Sequence, residues 1–278
     1  MTAATALKAC GVGRVIGGEL PLSPEAAQRW RDGSTDAGAV PALCKRFGAE
    51  PDASVWLRYG RCALGAALDV CGVSASGRSA VLAPSYQCIA TVKTLRSRTP
   101  RVGYYGLDAR LRPSVATVRA SARRARAVLT CVYFGSRAIE ERLDDLARAL
   151  RRLPQPPWII EDRVMCAPDP RLLREAAARC DLTILSFRKH YPVPDGALLI
   201  AHSDRARQHL RALSEAKPHR GNGTADRAVV AKLAAKVMRH AWLRSVRLSD
   251  DPRRNGLAES RASEARIDQA TTEAEADW

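Results

Sequence analysis

Apolar residues along this chain gather in short runs, and between the runs they recur every three or four positions. The runs Ala80 to Ala83, Val102 to Tyr105, Ala127 to Val132, Trp158 to Ile160, Leu182 to Leu185 and Ala197 to Ala201 have the length and composition of buried strands. Leu143, Leu146, Ala147, Leu150 and Leu153 fall on one helical face, with Asp144, Asp145, Arg148, Arg151 and Arg152 on the others. Ala63, Leu64, Ala67, Leu68 and Cys71 make a second stripe after Gly60. Strands that alternate with helices predict an α/β fold, a mainly parallel sheet sandwiched by helices. In such sheets ligands bind beyond the carboxyl ends of the strands.

The pattern changes after about Asp204. Ala206 to Leu213 and Ala225 to Val246 read as helices, separated by the polar breaker Lys217-Pro218-His219-Arg220-Gly221-Asn222-Gly223. From Ser249 onward there is almost no apolar periodicity, which predicts a disordered tail.

Composition narrows the function classes. With 278 residues, 46% of them apolar, the chain can bury a proper core. No uninterrupted apolar stretch approaches a membrane span of about 18 residues. Met1 to Ala9 is followed by Cys10 and then Gly-Val-Gly-Arg rather than a cleavage site, so a cytoplasmic protein with no membrane association is expected. The eight cysteines, at 10, 44, 62, 71, 88, 131, 166 and 180, contain no C-x-x-C pair and sit at no ligand spacing from a histidine. That argues against zinc or another metal, and for reduced, mostly buried thiols. A formal charge of +16 raises the question of nucleic acid. Only seven of the 45 basic residues are lysines, the arginines are scattered over most helices, and no aromatics interleave with them to stack bases. No nucleic-acid partner is expected.

The candidate chemistry lies between the fourth and sixth runs. Trp158-Ile159-Ile160 delivers Glu161-Asp162, and Lys189 follows Asp162 by 27 residues, just past the next strand, within Ser186-Phe187-Arg188-Lys189-His190-Tyr191-Pro192-Val193-Pro194-Asp195-Gly196. An acid at a strand end followed by such a lysine is the pairing that a pyridoxal 5'-phosphate (PLP) enzyme requires. The lysine amine forms a Schiff base with the cofactor aldehyde, and the carboxylate keeps the pyridine nitrogen protonated so that the ring can accept electrons. Each residue alone has a plainer reading, the aspartate as a helix cap and the lysine as a solvated charge.

Six ordered segments give the pairing a context. Ile16-Gly17-Gly18-Glu19-Leu20, Tyr59-Gly60-Arg61-Cys62-Ala63-Leu64, Pro84-Ser85-Tyr86-Gln87-Cys88-Ile89-Ala90-Thr91, Tyr133-Phe134-Gly135, Ile160-Glu161-Asp162-Arg163 and the Ser186 to Gly196 stretch resemble landmarks of the DegT/DnrJ/StrS-type aminotransferases. Members of that family are PLP enzymes of the aspartate aminotransferase fold, and many aminate nucleotide-linked keto sugars for polysaccharide or antibiotic biosynthesis. The resemblance covers about residues 15 to 203. It implies a PLP-binding large domain over 15–204, a reduced helical C-terminal part over 205–248 and a tail over 249–278.

By the same resemblance, Lys189 is the Schiff-base lysine, Asp162 the partner of the pyridine nitrogen and Ser186 a hydroxyl that helps hold the phosphate. Gly60, Arg61 and Cys62 match a turn that offers backbone N–H groups to the phosphate at a helix start, a natural place for an anion. The plainer reading of Gly60-Arg61 is an ordinary strand-to-helix turn. A homodimer, an amino donor and a sugar acceptor complete what the resemblance implies.

The chain also departs from the family. Cys88 stands where an aromatic ring commonly stacks on the cofactor, Met165 where a histidine or glutamine commonly contacts its phenolic oxygen, and Ala197 where a second glycine follows Pro-Asp-Gly. A lost stack and a lost hydrogen bond cost about 1 kcal/mol each. The C-terminal portion that normally covers the active site is short. A sugar aminotransferase is therefore the first expectation, and a truncated, catalytically silent relative acting as a binding or assembly partner is the second. Retention of Lys189 argues against a dehydratase of the same family. Arg163 and Arg188, nearest in sequence to the pairing, are candidates for the donor carboxylate site, with solvated charge or an ion pair as the plainer reading.

Overall fold

The computed structural model describes residues 49–74, 79–191 and 196–216. The glycine-rich segment at 16–20, the breaker at 217–223, the helix expected over 225–246 and the tail from 249 lie outside the described residues, as do Cys10, Cys44 and positions 192–195. The chain divides into two compact units. The sheet lies in the one that comprises Ala37–Phe187 and Gly196–Pro218.

Seven strands make one sheet in the order β1-β7-β6-β5-β4-β2-β3. They are β1 (Ser54–Leu57), β2 (Ala80–Pro84), β3 (Val102–Tyr105), β4 (Ala125–Cys131), β5 (Trp158–Asp162), β6 (Leu182–Ser186) and β7 (Ala197–Ala201). Strands β3, β2, β4, β5 and β6 run parallel, and β7 and β1 close one side antiparallel. Every residue of β5, β6 and β7 is buried, which is why these strands read as continuous apolar runs rather than alternating ones.

Helices cover both faces. One core packs α1 (Gly60–Val70), α2 (Ile89–Arg98) and α6 (Asp204–Ala216) against Trp158, Ile160, Leu182 and Ile184. The other packs α3 (Val115–Ala122), α4 (Arg137–Arg151) and α5 (Pro170–Arg179) against Val128 and Ile159. The mainly parallel, doubly covered sheet is the architecture that the sequence predicts. Strands β3 and β7 have the predicted bounds, β2, β5 and β6 run on to Pro84, Asp162 and Ser186, and β4 begins two residues early. None of the described helices is long and apolar enough to cross a membrane. Of the six cysteines among the described residues four are buried, Cys62 is half-buried and Cys88 is exposed, all as free thiols.

Strand β7 begins directly after a position that needs a glycine. Gly196 has φ +109°, and a Cβ there would stand 2.9 Å from Trp56 Cζ2. Its N–H donates to Arg58 O (2.7 Å), its carbonyl accepts from Phe187 N (2.9 Å), and the Phe187 ring stacks on Trp56 at 5.1 Å.

A buried polar chain sits at the start of β6. Cys180 Sγ and Thr183 Oγ1 are 3.2 Å apart, and Thr183 Oγ1 is 2.8 Å from His202 Nε2. Burial, with help from Arg207 and Arg179 and against Glu161 and Asp181, lowers His202 from the ordinary 6.5 to about 4. A histidine with a depressed folded pKa takes up its proton only on unfolding between those two values, so stability falls as pH drops from 6.5 toward 4. Urea unfolding at pH 7 and pH 4.5 should differ by on the order of 2 kcal/mol more for the native chain than for His202→Asn. Equal pH dependence in the two proteins would remove His202 from the account.

Candidate functional site

The site residues gather at the carboxyl ends of β5 and β6. Asp162 ends β5 and pairs in register with Cys131 of β4 and Ile184 of β6. Side chains alternate across a strand, so Asp162 shares a face with Ile160, and Ser186 with Leu182 and Ile184. That is the face covered by α1. Asp162 is 6% exposed, and its Oδ1 accepts the Val164 N–H at 2.9 Å.

Helix α1 begins at the same edge. Its N-cap, Tyr59, offers no side-chain acceptor, and the first intrahelical bond runs from Ala63 N to Tyr59 O (3.1 Å). The amides of Gly60, Arg61 and Cys62 therefore precede the helical hydrogen-bond ladder, at its electropositive end. Gly60 is pressed against the strand ends, where a Cβ would lie 3.0 Å from Val164 Cγ1 and 4.0 Å from Ser186 Cβ. Glycine lets this helix start approach the strands that closely.

Ser186 supplies the strongest local signal. Its side chain is 2% exposed, and its Oγ has no hydrogen-bond partner among the described residues. An unsatisfied buried hydroxyl costs roughly 1–3 kcal/mol. An anion held by the first-turn amides of α1 would accept from that hydroxyl, so the residues present fit a phosphate group. Gln87 Nε2, in the loop after β2 at the same edge of the sheet, is buried without a hydrogen-bond partner among the described residues as well. The sequence reading passed over Gln87, because a glutamine in a loop carries no signal until its burial is known.

The remaining predicted residues are placed more loosely. Lys189 ends the 3-10 turn Phe187–Lys189 directly after β6 and is half-buried. Cys88 is the N-cap of α2, exposed, with Sγ 3.3 Å from Thr91 Oγ1. It lies at the carboxyl edge but on the β2 side, and β4 stands between β2 and β5. Its loop is braced by Tyr133, whose hydroxyl donates to Tyr86 O and whose ring meets the Tyr86 ring at 5.5 Å. Met165 is half-buried in the turn after Asp162.

Arg163 corrects the reading that made it a candidate for binding a donor carboxylate. Its side chain is 1% exposed and forms ion pairs with Glu161 and Glu140. Burial pulls the guanidinium down, but Glu161 and the Glu140 hydrogen bond hold it above the ordinary arginine range. Strand alternation explains the outcome, since Arg163 follows Glu161 to the face opposite Asp162.

The parallel-centred, seven-stranded sheet covered on both faces has the large-domain fold of aspartate aminotransferase-like enzymes. No protein-family model matches the chain, and no curated protein matches it in sequence. Among solved structures it is similar to a sugar aminotransferase from Micromonospora echinospora (TM-score 0.55, 18% identity, 76% of this chain and 61% of that one). It is also similar to an aminotransferase from Streptoalloteichus hindustanus (0.51, 18%, 73% and 56%). A third is histidinol-phosphate aminotransferase from Sinorhizobium meliloti, solved in complex with PLP (0.56, 16%, 88% and 70%). At such identities the likeness is one of fold, and the chain spans 56% and 61% of the length of the first two.

Proposed function

We propose that this chain binds PLP at the carboxyl edge of β5 and β6 and acts as an aminotransferase-like protein of the DegT/DnrJ/StrS type, in the cytoplasm, as a homodimer. The observation that carries the reading is the buried Ser186 hydroxyl, with no hydrogen-bond partner among the described residues, beside the start of α1 and on the same face as Asp162. In the assigned roles, the amides of residues 60–62 and Ser186 Oγ hold the phosphate, and Asp162 holds the proton on the ring nitrogen. Cys88 occupies the position of the ring-stacking residue without its aromatic surface. Lys189 Nζ would condense with the cofactor aldehyde with loss of water, be freed when the donor amine displaces it, and as a free amine take up and return the substrate proton. Once bound, PLP supplies the electron sink for charge that develops at the amine-bearing carbon. The substrates in this reading are a small-molecule amino donor and a nucleotide-linked keto sugar. Residues 15–204 form the cofactor-binding domain, 205–248 its helical extension and 249–278 a tail.

A second reading has specific support. The exposed thiol at Cys88, where the resemblance would have an aromatic ring, favours a relative that keeps the fold as a binding partner without turning over. The two readings part in one titration. Added PLP should give the absorbance band of a lysine adduct, and glutamate or glutamine should then discharge that band in a working transaminase. A band that forms and survives every amino acid would establish the silent relative; no band at all would end both cofactor readings.

A further inference from the structure

The carboxyl end of β5 is held from behind by four buried charges. Glu161 and Arg163 lie on the face opposite Asp162, under α4 and α5. Arg163 donates from Nη1 to Glu161 Oε1 (2.8 Å) and from Nη2 to Glu140 Oε1 of α4 (2.6 Å). Arg179, the last residue of α5, donates from Nε to Glu161 Oε2 (2.6 Å) and from Nη2 to Glu161 Oε1 (3.0 Å). Its Nη1 reaches out to Asp144 Oδ1 at 3.2 Å. Glu140, Glu161, Arg163 and Arg179 are each 1–4% exposed, and their charges cancel.

Such clusters contribute little net stability over apolar residues of equal volume, because desolvation offsets the attraction. What this one fixes is a geometry, and one of its members, Arg163, is next to the residue that orients Asp162. Arg163 N donates to Ile184 O (2.9 Å), Cys166 N donates to Arg163 O (2.9 Å), and between them Val164 N donates to Asp162 Oδ1 (2.9 Å). A planar guanidinium fork that bridges two carboxylates on two elements locks the backbone of that turn against rotation. Rotation of the turn would carry the Val164 N–H away from Asp162.

We propose that Arg163, by bridging Glu161 and Glu140, is a positioning residue that aims the Asp162 carboxylate at the ligand-facing edge through the Val164 N–H. Its functional meaning rests on the reading of Asp162 as the partner of the PLP ring nitrogen. Arg163→Lys keeps the charge but loses the two-pronged bridge, and Glu140→Gln removes one charged prong from the far helix while leaving Arg163 in place. Should the lysine variant fail to fold, the glutamine variant carries the same test.

Two measurements separate this proposal from the cofactor reading. In the protein without cofactor, hydrogen exchange at the Val164 amide should accelerate at least about tenfold in either variant, while exchange at Leu129 in mid-β4 stays at its native rate. With 15N-labelled PLP, the ring-nitrogen shift should be that of a protonated nitrogen in the native chain and move toward the unprotonated value in the variants. A merely structural cluster would change global stability, moving both amides together and leaving the nitrogen shift alone; that result overturns the proposal. Native protein that takes up no PLP, with Val164 exchange still accelerated in the variants, overturns the cofactor reading and leaves the positioning of Asp162 established.

Discussion

Replacement of Lys189 by alanine is expected to abolish the covalent label that borohydride reduction fixes on the native chain in the presence of PLP. The expectation follows from topology. A side chain that bonds a ligand held at the carboxyl edge must follow a strand that ends there, and in the chain Lys189 comes three residues after Ser186, the last residue of β6. Of the seven lysines, the only other one among the described residues is Lys93, exposed on the surface of α2. The phosphate determinants stay intact in Lys189→Ala, so PLP should still bind, reversibly and more weakly. Transaminase turnover should fall by at least about 10³-fold, the scale of a lost general base compounded by the loss of covalent capture. Peptide mapping after reduction decides it. Label on Lys93 or on any other lysine of the native chain, with Lys189 unlabelled, would defeat the assignment.

How far the sequence revealed this site depends on which physical signal each part carries. Asp162 and Ser186 were legible because β5 and β6 are buried on both faces, so their runs are apolar but for Thr183 and their polar ends stand out. The helix start at Gly60 was legible because a strong apolar stripe follows it, with Ala63, Leu64, Ala67 and Leu68 all buried. Strand β1 was missed because three of its four residues are only half-buried and its antiparallel partner, β7, lies far away in sequence. Helix α2 left no periodic trace, since it buries only Thr91 and Leu95. For Arg163 the sequence left two readings open, a donor carboxylate site or an ion pair, and the structure shows the ion pair. Sequence adjacency to Asp162 suggested a shared site, whereas a strand sends adjacent residues to opposite faces. The cluster that it joins draws on positions 140, 161, 163 and 179, and no local pattern announces a contact among residues that far apart.

The neutral variant Asp162→Asn should separate chemistry from folding at this position. Asp162 has a structural duty, since its Oδ1 accepts the Val164 N–H at 2.9 Å in a place that is 6% exposed. Alanine there would orphan that donor and cost roughly 1–3 kcal/mol of stability, confusing any loss of activity with unfolding. Asparagine keeps an oxygen in place to accept the N–H and nearly the same volume, so the unfolding free energy should change by less than about 1 kcal/mol. What asparagine cannot do is hold a proton on a pyridine nitrogen by charge. A fixed carboxylate aimed at charge that builds up in the transition state is worth several kcal/mol in a water-poor site, so turnover should drop by about 10³-fold or more. PLP affinity should weaken far less, because the proposed phosphate contacts of Ser186 and α1 and the proposed covalent bond to Lys189 do not involve Asp162. The decisive pattern is native-like unfolding, retained covalent label at Lys189 and lost turnover in one protein. Near-normal turnover by Asp162→Asn would return this residue to the role of an ordinary turn-capping aspartate, and with it the chain to a fold whose electron sink has no partner.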